Sequence, residues 1–198
     1  PIGVVCQQNA SVEDPGKDEL YEIGVISEII KILEMPDDST TVILQGKMKR
    51  FHIDEVTETF PYMRANVSLE SEILPDAGDK EFEALVSALK DLTFELLKNI
   101  GEQAKELIFA IRNIDNAHYL INFLAANIPL SSSQKQELLN LGNIKERLFK
   151  LYEMLTQEAQ LLQIKADIQS KTREDLNQQQ REHFLQQQIR TIQEELGG

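Results

Sequence analysis

The sequence predicts an α+β protein in which an N-terminal antiparallel β domain is followed by a helical bundle that ends in one very long helix. Two observations lead to this prediction. The spacing of apolar residues changes from a period of two to a period of three and four near Asp79, and no Pro or Gly lies between Gly142 and Gly197. With 198 residues, the chain has room for one large domain or two small ones.

Residues 1–78 are predicted to form the β domain, with strands over residues 1–75. Apolar and polar residues alternate strictly over residues 63–69, which is typical of a strand with one buried and one solvent-facing side. Residues 25–33 are rich in β-branched side chains, and the turn-forming residues 36–39 separate them from a second β-branched run at residues 40–44. We therefore predict a long hairpin across this turn.

Residues 79–142 are predicted to form a compact bundle of four short helices, because their apolar residues recur three and four positions apart. An N-cap at Asp115 precedes the third helix, and Ser133 and Gln136 have the spacing of a capping box for the fourth. The predicted ranges are 79–100 with Gly101 as a C-cap, about 102–112, 116–127, and about 134–141 with Gly142 ending the helix.

Residues 143–198 are predicted to form one helix of about 53 residues, about 80 Å long at the usual rise per residue. Asn143 and Glu146 have capping-box spacing at its start. A polar stretch, residues 169–183, separates two apolar stripes, which suggests a helix that packs, crosses solvent and docks again. The competing interpretation is a frayed polar tail. The candidate helix–helix seam is formed by Leu148, Tyr152, Leu155 and Leu162, repeating at intervals of four and three with Ala159 and Ala166.

The charge distribution argues against nucleic acid as a partner. The formal net charge is −13, and residues 1–78 contain 15 acidic residues against 6 basic ones. This surface would repel a phosphate backbone, and no basic stripe elsewhere compensates for it. No apolar run approaches the roughly 18 residues that a membrane-spanning helix requires, so no membrane partner is predicted.

No catalytic, cofactor-binding or metal-binding residue is predicted. Neither Gly-Lys pair, at Gly16 and Gly46, has the preceding glycine and following hydroxyl of a phosphate-binding loop. No G-x-S-x-G motif occurs, and the three histidines are far apart in sequence and are expected at the surface. Cys6, the single cysteine, lies in an apolar run and is expected to be a small buried hydrophobe in a reducing, cytoplasm-like compartment.

Three segments resemble the amino-terminal region of Lon, the ATP-dependent serine protease of bacteria and mitochondria. They are DELYEIGVISEIIKILEMPDDSTTVILQG, NIDNAHYLINFLAANIPLSSSQKQELLNLGNIKERLFKLYEML and QREHFLQQQIRTIQEELG, and together they extend the resemblance over essentially the whole chain. Two departures occur. Asp38 and Ser39 stand where the family usually has a Gly in the turn, and Gln187 and Gln188 replace a usual acidic residue and its neighbour.

The resemblance implies a PUA-like pseudo-barrel whose first strands are missing before Pro1, and a chain that stops at Gly198 just before an ATPase module. The phosphate-binding loop and the catalytic Ser and Lys of Lon have no matching positions in this sequence. The fragment is therefore expected to hydrolyse nothing, and ATP and Mg belong to the parent protein. The location that the resemblance implies is the cytoplasm, or alternatively the mitochondrial matrix.

The resemblance further implies that the β domain recognises misfolded or degron-bearing proteins and that the long helix supports assembly of a homohexamer. The alternative is a structural coiled-coil spacer or adaptor whose β domain binds one defined partner. The candidate client-contact residues are Leu33, Met35 and Pro36, because large apolar side chains lie there beside a solvent-facing turn. Alternatively, Leu33 and Met35 fold back into the β-domain core.

Overall fold

The computed structural model describes residues 1–98 and 104–197, and in these ranges it contains four named strands and five α-helices. The chain divides into two compact units, Pro1–Tyr152 and Glu153–Gly198. The predicted three-part division at residues 78 and 142 stays a prediction. The strands are β1 (Ile2–Val4), β2 (Ile23–Glu34), β3 (Thr40–Glu58) and β4 (Arg64–Glu70). The helices are α1 (Lys80–Lys98), α2 (Ala104–Arg112), α3 (Ala117–Asn127), α4 (Ser132–Asn140) and α5 (Ile144–Glu195).

The four strands form one antiparallel sheet in the order β1-β2-β3-β4, and β2 and β3 form the predicted long hairpin. Strand β1 pairs with β2 only at residues 25–27, and β4 pairs with β3 only from Arg50 to Glu58. Residues 28–48 therefore extend beyond both outer strands as a two-stranded ribbon, which we call the hairpin arm. At its tip, the Met35 backbone N–H donates to the Ser39 carbonyl at 2.8 Å.

Strand β4 confirms the strand predicted over residues 63–69, but the prediction of one buried side was wrong. All seven residues of β4 are exposed, including Val67 and Leu69. The reason is that Ala65 and Val67 line an open cavity opposite Ile2 and Leu20 instead of packing closely against other side chains. Cys6 is also exposed rather than buried, because its apolar neighbours belong to the short outer strand and the loop that follows it.

The bundle in the first unit is built around leucine and isoleucine side chains that are excluded from solvent, which confirms the predicted apolar stripes. Residues 99–103, which include the predicted C-cap Gly101, lie outside the described residues. The most buried members of this core are Leu89, Ile111, Leu120, Ile121, Leu124, Leu138, Ile144, Leu148 and Leu151.

Two helix caps differ from those predicted. Asn116, not Asp115, caps α3, and its side-chain Oδ1 accepts from the Tyr119 N–H at 2.8 Å. The capping box of α4 is formed by Ser131 and Gln134 rather than by Ser133 and Gln136. Gln136 is buried instead, where its Nε2 donates to the Ile23 carbonyl of β2 at 2.9 Å.

Helix α5 has 52 residues and runs without interruption through the polar stretch, so the prediction of one continuous helix is confirmed. Asn143 caps it, with Oδ1 accepting from the Lys145 N–H at 3.0 Å. From residue 160 to residue 197 every side chain is exposed.

Candidate functional site: the hairpin arm and the adjacent groove

The hairpin arm presents aliphatic side chains to solvent. In the register of the two strands, Ile29 lies opposite Leu44 and Ile32 lies opposite Val42. Because Val42 and Leu44 are two residues apart on β3, the two pairs share one side of the ribbon. We call this side, formed by Ile29, Ile32, Val42 and Leu44, the arm face. Its side chains are 47%, 58%, 43% and 40% exposed, respectively.

The candidate client-contact residues lie at the end of this arm. Met35 is 45% exposed and Pro36 is exposed, whereas Leu33 is half-buried. The turn beside them is held by Asp37, whose Oδ1 accepts from the Ser39 hydroxyl at 2.6 Å and from its N–H at 3.1 Å. These bonds to Ser39 lower the pKa of Asp37, so its carboxylate stays charged to a lower pH than that of an ordinary aspartate. The tip therefore combines an accessible methionine with a fixed negative charge.

A groove of about 430 Å³ lies where the arm joins the four-stranded part of the sheet, bounded on its other side by α3, α4 and the start of α5. Gly46 lines this groove. It lies two residues beyond Leu44 on β3, just as Leu44 lies two residues beyond Val42, so the arm face continues into the groove. A bulge in β3 places Met48, with φ of 54°, on its wall. The apolar lining comes chiefly from Val25, Met48, Tyr119, Phe123, Leu138 and Leu139.

Two arginines and one glutamate lie at the base of the groove. Arg50 and Arg147 are only 4% and 3% exposed. Arg147 Nη2 lies 2.8 Å from Glu72 Oε1, and Arg50 Nε lies 3.6 Å from the same oxygen. Burial lowers the pKa of the Arg147 guanidinium, Glu72 opposes that effect, and the charge of Arg50 adds to the lowering. One carboxylate is thus shared by two buried cations.

These arginines also donate to main-chain carbonyls of α4 and of the loop that follows it. Arg50 Nη1 donates to the Leu139 carbonyl at 2.6 Å, and Arg147 Nη2 donates to the Leu141 carbonyl at 2.6 Å. Arg50 Nε is buried without a hydrogen bond of good geometry among the described atoms. The cluster therefore fixes the groove's base but leaves a positive charge that Glu72 alone does not neutralise.

Residues 1–157 match the family described as the ATP-dependent protease La (LON) substrate-binding domain. The chain belongs to the Lon family. It is 54% identical over 197 residues to the Lon protease of Parabacteroides distasonis and 48% identical over 199 residues to that of Porphyromonas gingivalis. Each comparison covers 100% of this chain but only 24% and 23% of the relative, so the chain spans about a quarter of these Lon proteases.

A solved structure, the N-terminal domain of the Mycobacterium avium complex Lon protease, has the same fold. Its TM-score is 0.58 at 19% sequence identity, over 78% of this chain and 90% of that one. The predicted order of an antiparallel sheet, a bundle and one long helix is thus confirmed as a Lon N-terminal fold.

The groove was not predicted from the sequence of this Lon family member. His118 was expected at the surface, but it is only 19% exposed, and its Nε2 lies 2.8 Å from Glu72 Oε2. In the sequence, Arg50 has the pattern of an ordinary polar residue in an alternating strand. The Leu139 carbonyl that accepts its hydrogen bond is 89 residues away. The groove has more basic than acidic residues because the fold brings Arg50 and Arg147 from distant parts of the chain to Glu72.

The four seam residues predicted from their spacing along the long helix lie in different environments. Leu148 and Leu155 are fully buried, Tyr152 is half-buried and Leu162 is exposed. Their role as a seam stays a prediction. Among residues 1–98 and 104–197, no group of three or more His, Cys, Asp and Glu side chains could hold a metal ion, and no helix is apolar and long enough to cross a membrane.

Proposed function

We propose that this chain captures unfolded polypeptide for a Lon-type protease, and that the arm face is the surface that makes the contact. The observation that carries the proposal is the exposure of four paired aliphatic side chains on a ribbon that no other described strand flanks. Contiguous exposed apolar surface usually marks an interaction site, because leaving it in water is unfavourable.

The chemistry of the arm suits varied clients. Its face is aliphatic and its tip carries Met35, whose flexible thioether side chain adapts to partners of different shape. Such contacts are non-directional, so they favour unfolded segments with exposed apolar side chains over one particular folded partner. This argues against the alternative of a β domain that binds a single defined protein.

The whole protein is proposed to be an ATP-dependent serine protease that removes misfolded and degron-bearing proteins in the cytoplasm. Hydrolysis, ATP and Mg would belong to the part of the relatives that this chain does not span. We further propose that α5 supports assembly of the hexamer, because its exposed apolar residues beyond residue 160 offer a surface to other chains.

The test is binding of the purified chain to a fluorescently labelled unfolded protein, reduced and carboxymethylated α-lactalbumin, with native α-lactalbumin as competitor. Ile32→Ser combined with Val42→Ser should weaken binding roughly tenfold, since it removes a central apolar pair from the contact. Met35→Ser should weaken binding less. Neither change should lower the unfolding midpoint strongly, because these side chains are already exposed.

The matched control is Ile2→Ser combined with Val4→Ser, which removes one isoleucine and one valine, 39% and 38% exposed, from β1. It should leave the affinity for unfolded α-lactalbumin unchanged. Equal affinity of the arm variant and the unchanged chain would reject the arm face as the client surface. Equal affinity for native and unfolded α-lactalbumin would reject the proposed function itself.

A further inference from the structure

We propose that the groove at the base of the hairpin arm binds the end of a polypeptide chain, with its free C-terminal carboxylate among the groove's cations and its last apolar side chains on the groove wall. This inference rests on the proposed function, since the ligand is an end of a client chain. It adds a second subsite with a specific chemistry.

Charge complementarity is the first argument. The chain as a whole has a net charge of −13. The groove nevertheless brings together Lys49, Arg50, Lys135 and Arg147 with Glu72 as the one acidic residue in its lining. Four cations against one carboxylate leave a local excess of positive charge in an otherwise acidic protein, and such an excess attracts an anion.

Burial strengthens this attraction. Arg50 and Arg147 are held beneath the groove with Glu72 shared between them, and screening by water and salt is weaker for buried charges than for exposed ones. Lys49 on β3 is exposed, and Lys135 on α4 is half-buried with its Nζ on the Ala126 carbonyl at 2.8 Å. These two lysines are the cations that a ligand carboxylate can reach.

The size and lining of the groove favour a chain end over the middle of a chain. About 430 Å³ is in the lower part of the range for small-molecule sites, so it holds only a few residues. A chain end places a carboxylate directly beside its last side chain. An acidic residue inside a longer segment would require the chain to enter and leave the same small volume. Phe123 and Leu138 provide the wall for the last apolar side chains.

The experiment measures fluorescence anisotropy of the whole 198-residue chain with three fluorescein-labelled octapeptides. The first is Gly-Ser-Gly-Ser-Gly-Val-Leu-Phe with a free C-terminus. The second is its C-terminal amide. The third is the amide of Gly-Ser-Gly-Ser-Glu-Val-Leu-Phe, which carries its carboxylate on a side chain. The free acid should bind at least roughly tenfold more tightly than either amide, as expected for a hydrogen-bonded charge.

Lys49→Gln combined with Lys135→Gln should remove most of this preference for the acid. Lys80→Gln combined with Lys171→Gln, which removes two exposed lysines outside the groove, is the control matched for net charge and should preserve the preference. Circular dichroism checks that the variants remain folded.

Equal binding of acid and amide would overturn the inference, and so would an acid preference that survives the double lysine substitution. Binding of the side-chain carboxylate peptide as tightly as the free acid would reject a chain end as the ligand. These outcomes concern only the groove, and the affinity of the arm face for unfolded α-lactalbumin is measured separately. The failure of this inference and the failure of the proposed function are therefore distinguishable.

Discussion

The two halves of strand β3 use similar side chains for different purposes. In the half that pairs with both β2 and β4, Arg50, Phe51 and Ile53 are buried. In the half that belongs to the hairpin arm, Val42, Ile43 and Leu44 are exposed, although they are as apolar as Phe51 and Ile53. Burial along this strand is therefore set by which elements lie beside it. The apolar side chains of the arm remain exposed, as the proposed contact with unfolded clients requires.

The largest expected difference between the halves concerns ion pairs. Glu72→Gln should lower the free energy of unfolding by about 3 kcal/mol, because it leaves Arg50 and Arg147 buried without their shared counter-charge. Its counterpart on the arm, Glu28→Gln, breaks an exposed contact to Lys47 at 2.6 Å and should change stability little. Urea unfolding followed by tyrosine fluorescence measures both. A small loss for Glu72→Gln would mean that water replaces its contacts to the arginines.

Truncation of isoleucine tests the same contrast through packing. Ile53→Ala should cost about 2 to 3 kcal/mol of unfolding free energy, because it removes buried methyl groups from the core of the sheet. Ile32→Ala on the arm face should stay within about 0.5 kcal/mol, since its side chain is already in water. Similar losses at the two positions, measured in the same urea titrations, would contradict the division of β3 into a buried and an exposed half.

Two glycines, Gly24 in the four-stranded part of the sheet and Gly46 beside the groove, test how closely the two regions are packed. A Cβ on Gly24 would lie 2.6 Å from Phe51 Cζ and 2.6 Å from the Val4 carbonyl oxygen, so Gly24→Ala should cost about 1 to 3 kcal/mol. A Cβ on Gly46 would meet only Val25 Cγ1, at an ordinary 3.6 Å. Gly46→Ala should therefore be neutral or slightly stabilising. Thermal melting of the two variants decides this, and a loss at Gly46 would show that the groove wall is less open than described.

The smallest expected effect is a dependence on pH. The Ser68 hydroxyl, at 2.6 Å, and His52 lower the pKa of Asp54 in the four-stranded region. A lowered pKa stabilises the folded state above the unfolded value of about 3.9, and this contribution is lost as the pH falls through the folded pKa. Asp54→Asn should therefore reduce the loss of stability between neutral pH and pH 3. Asp37→Asn at the arm tip should change it less, because that turn supports only the arm. A larger effect at Asp37 would reverse the comparison.

The features that were predicted correctly from the sequence are determined by residues that are close together in the chain. The hairpin followed from β-branched runs around a turn, and α5 followed from the absence of Pro and Gly over more than 50 residues. Adjacent candidates made the caps harder to predict. Asp115 and Asn116 are both good caps, and the path of the chain into α3 selects Asn116.

The groove could not be predicted because its contacts join distant parts of the chain. Gln136 looked like half of a capping box, but its side chain reaches the Ile23 carbonyl, 113 residues away. The pairing of Glu72 with Arg147 likewise has no local signature. The arm tip was predicted as a client contact with a core position as the alternative, and the exposure of Met35 does not fit that alternative.

Because of the long stretch of α5 beyond residue 160, the unfolding transition of this chain should differ between circular dichroism and tyrosine fluorescence. That stretch contributes a large part of the helical signal, yet its side chains are all exposed, so its helicity depends mainly on residue propensity and should decrease gradually on heating. All four tyrosines lie within the unit Pro1–Tyr152, whose buried core should melt cooperatively. Ellipticity at 222 nm should therefore slope well before tyrosine fluorescence changes. A two-state analysis is justified for the tyrosine signal, whereas the van't Hoff enthalpy from ellipticity would fall below the calorimetric one.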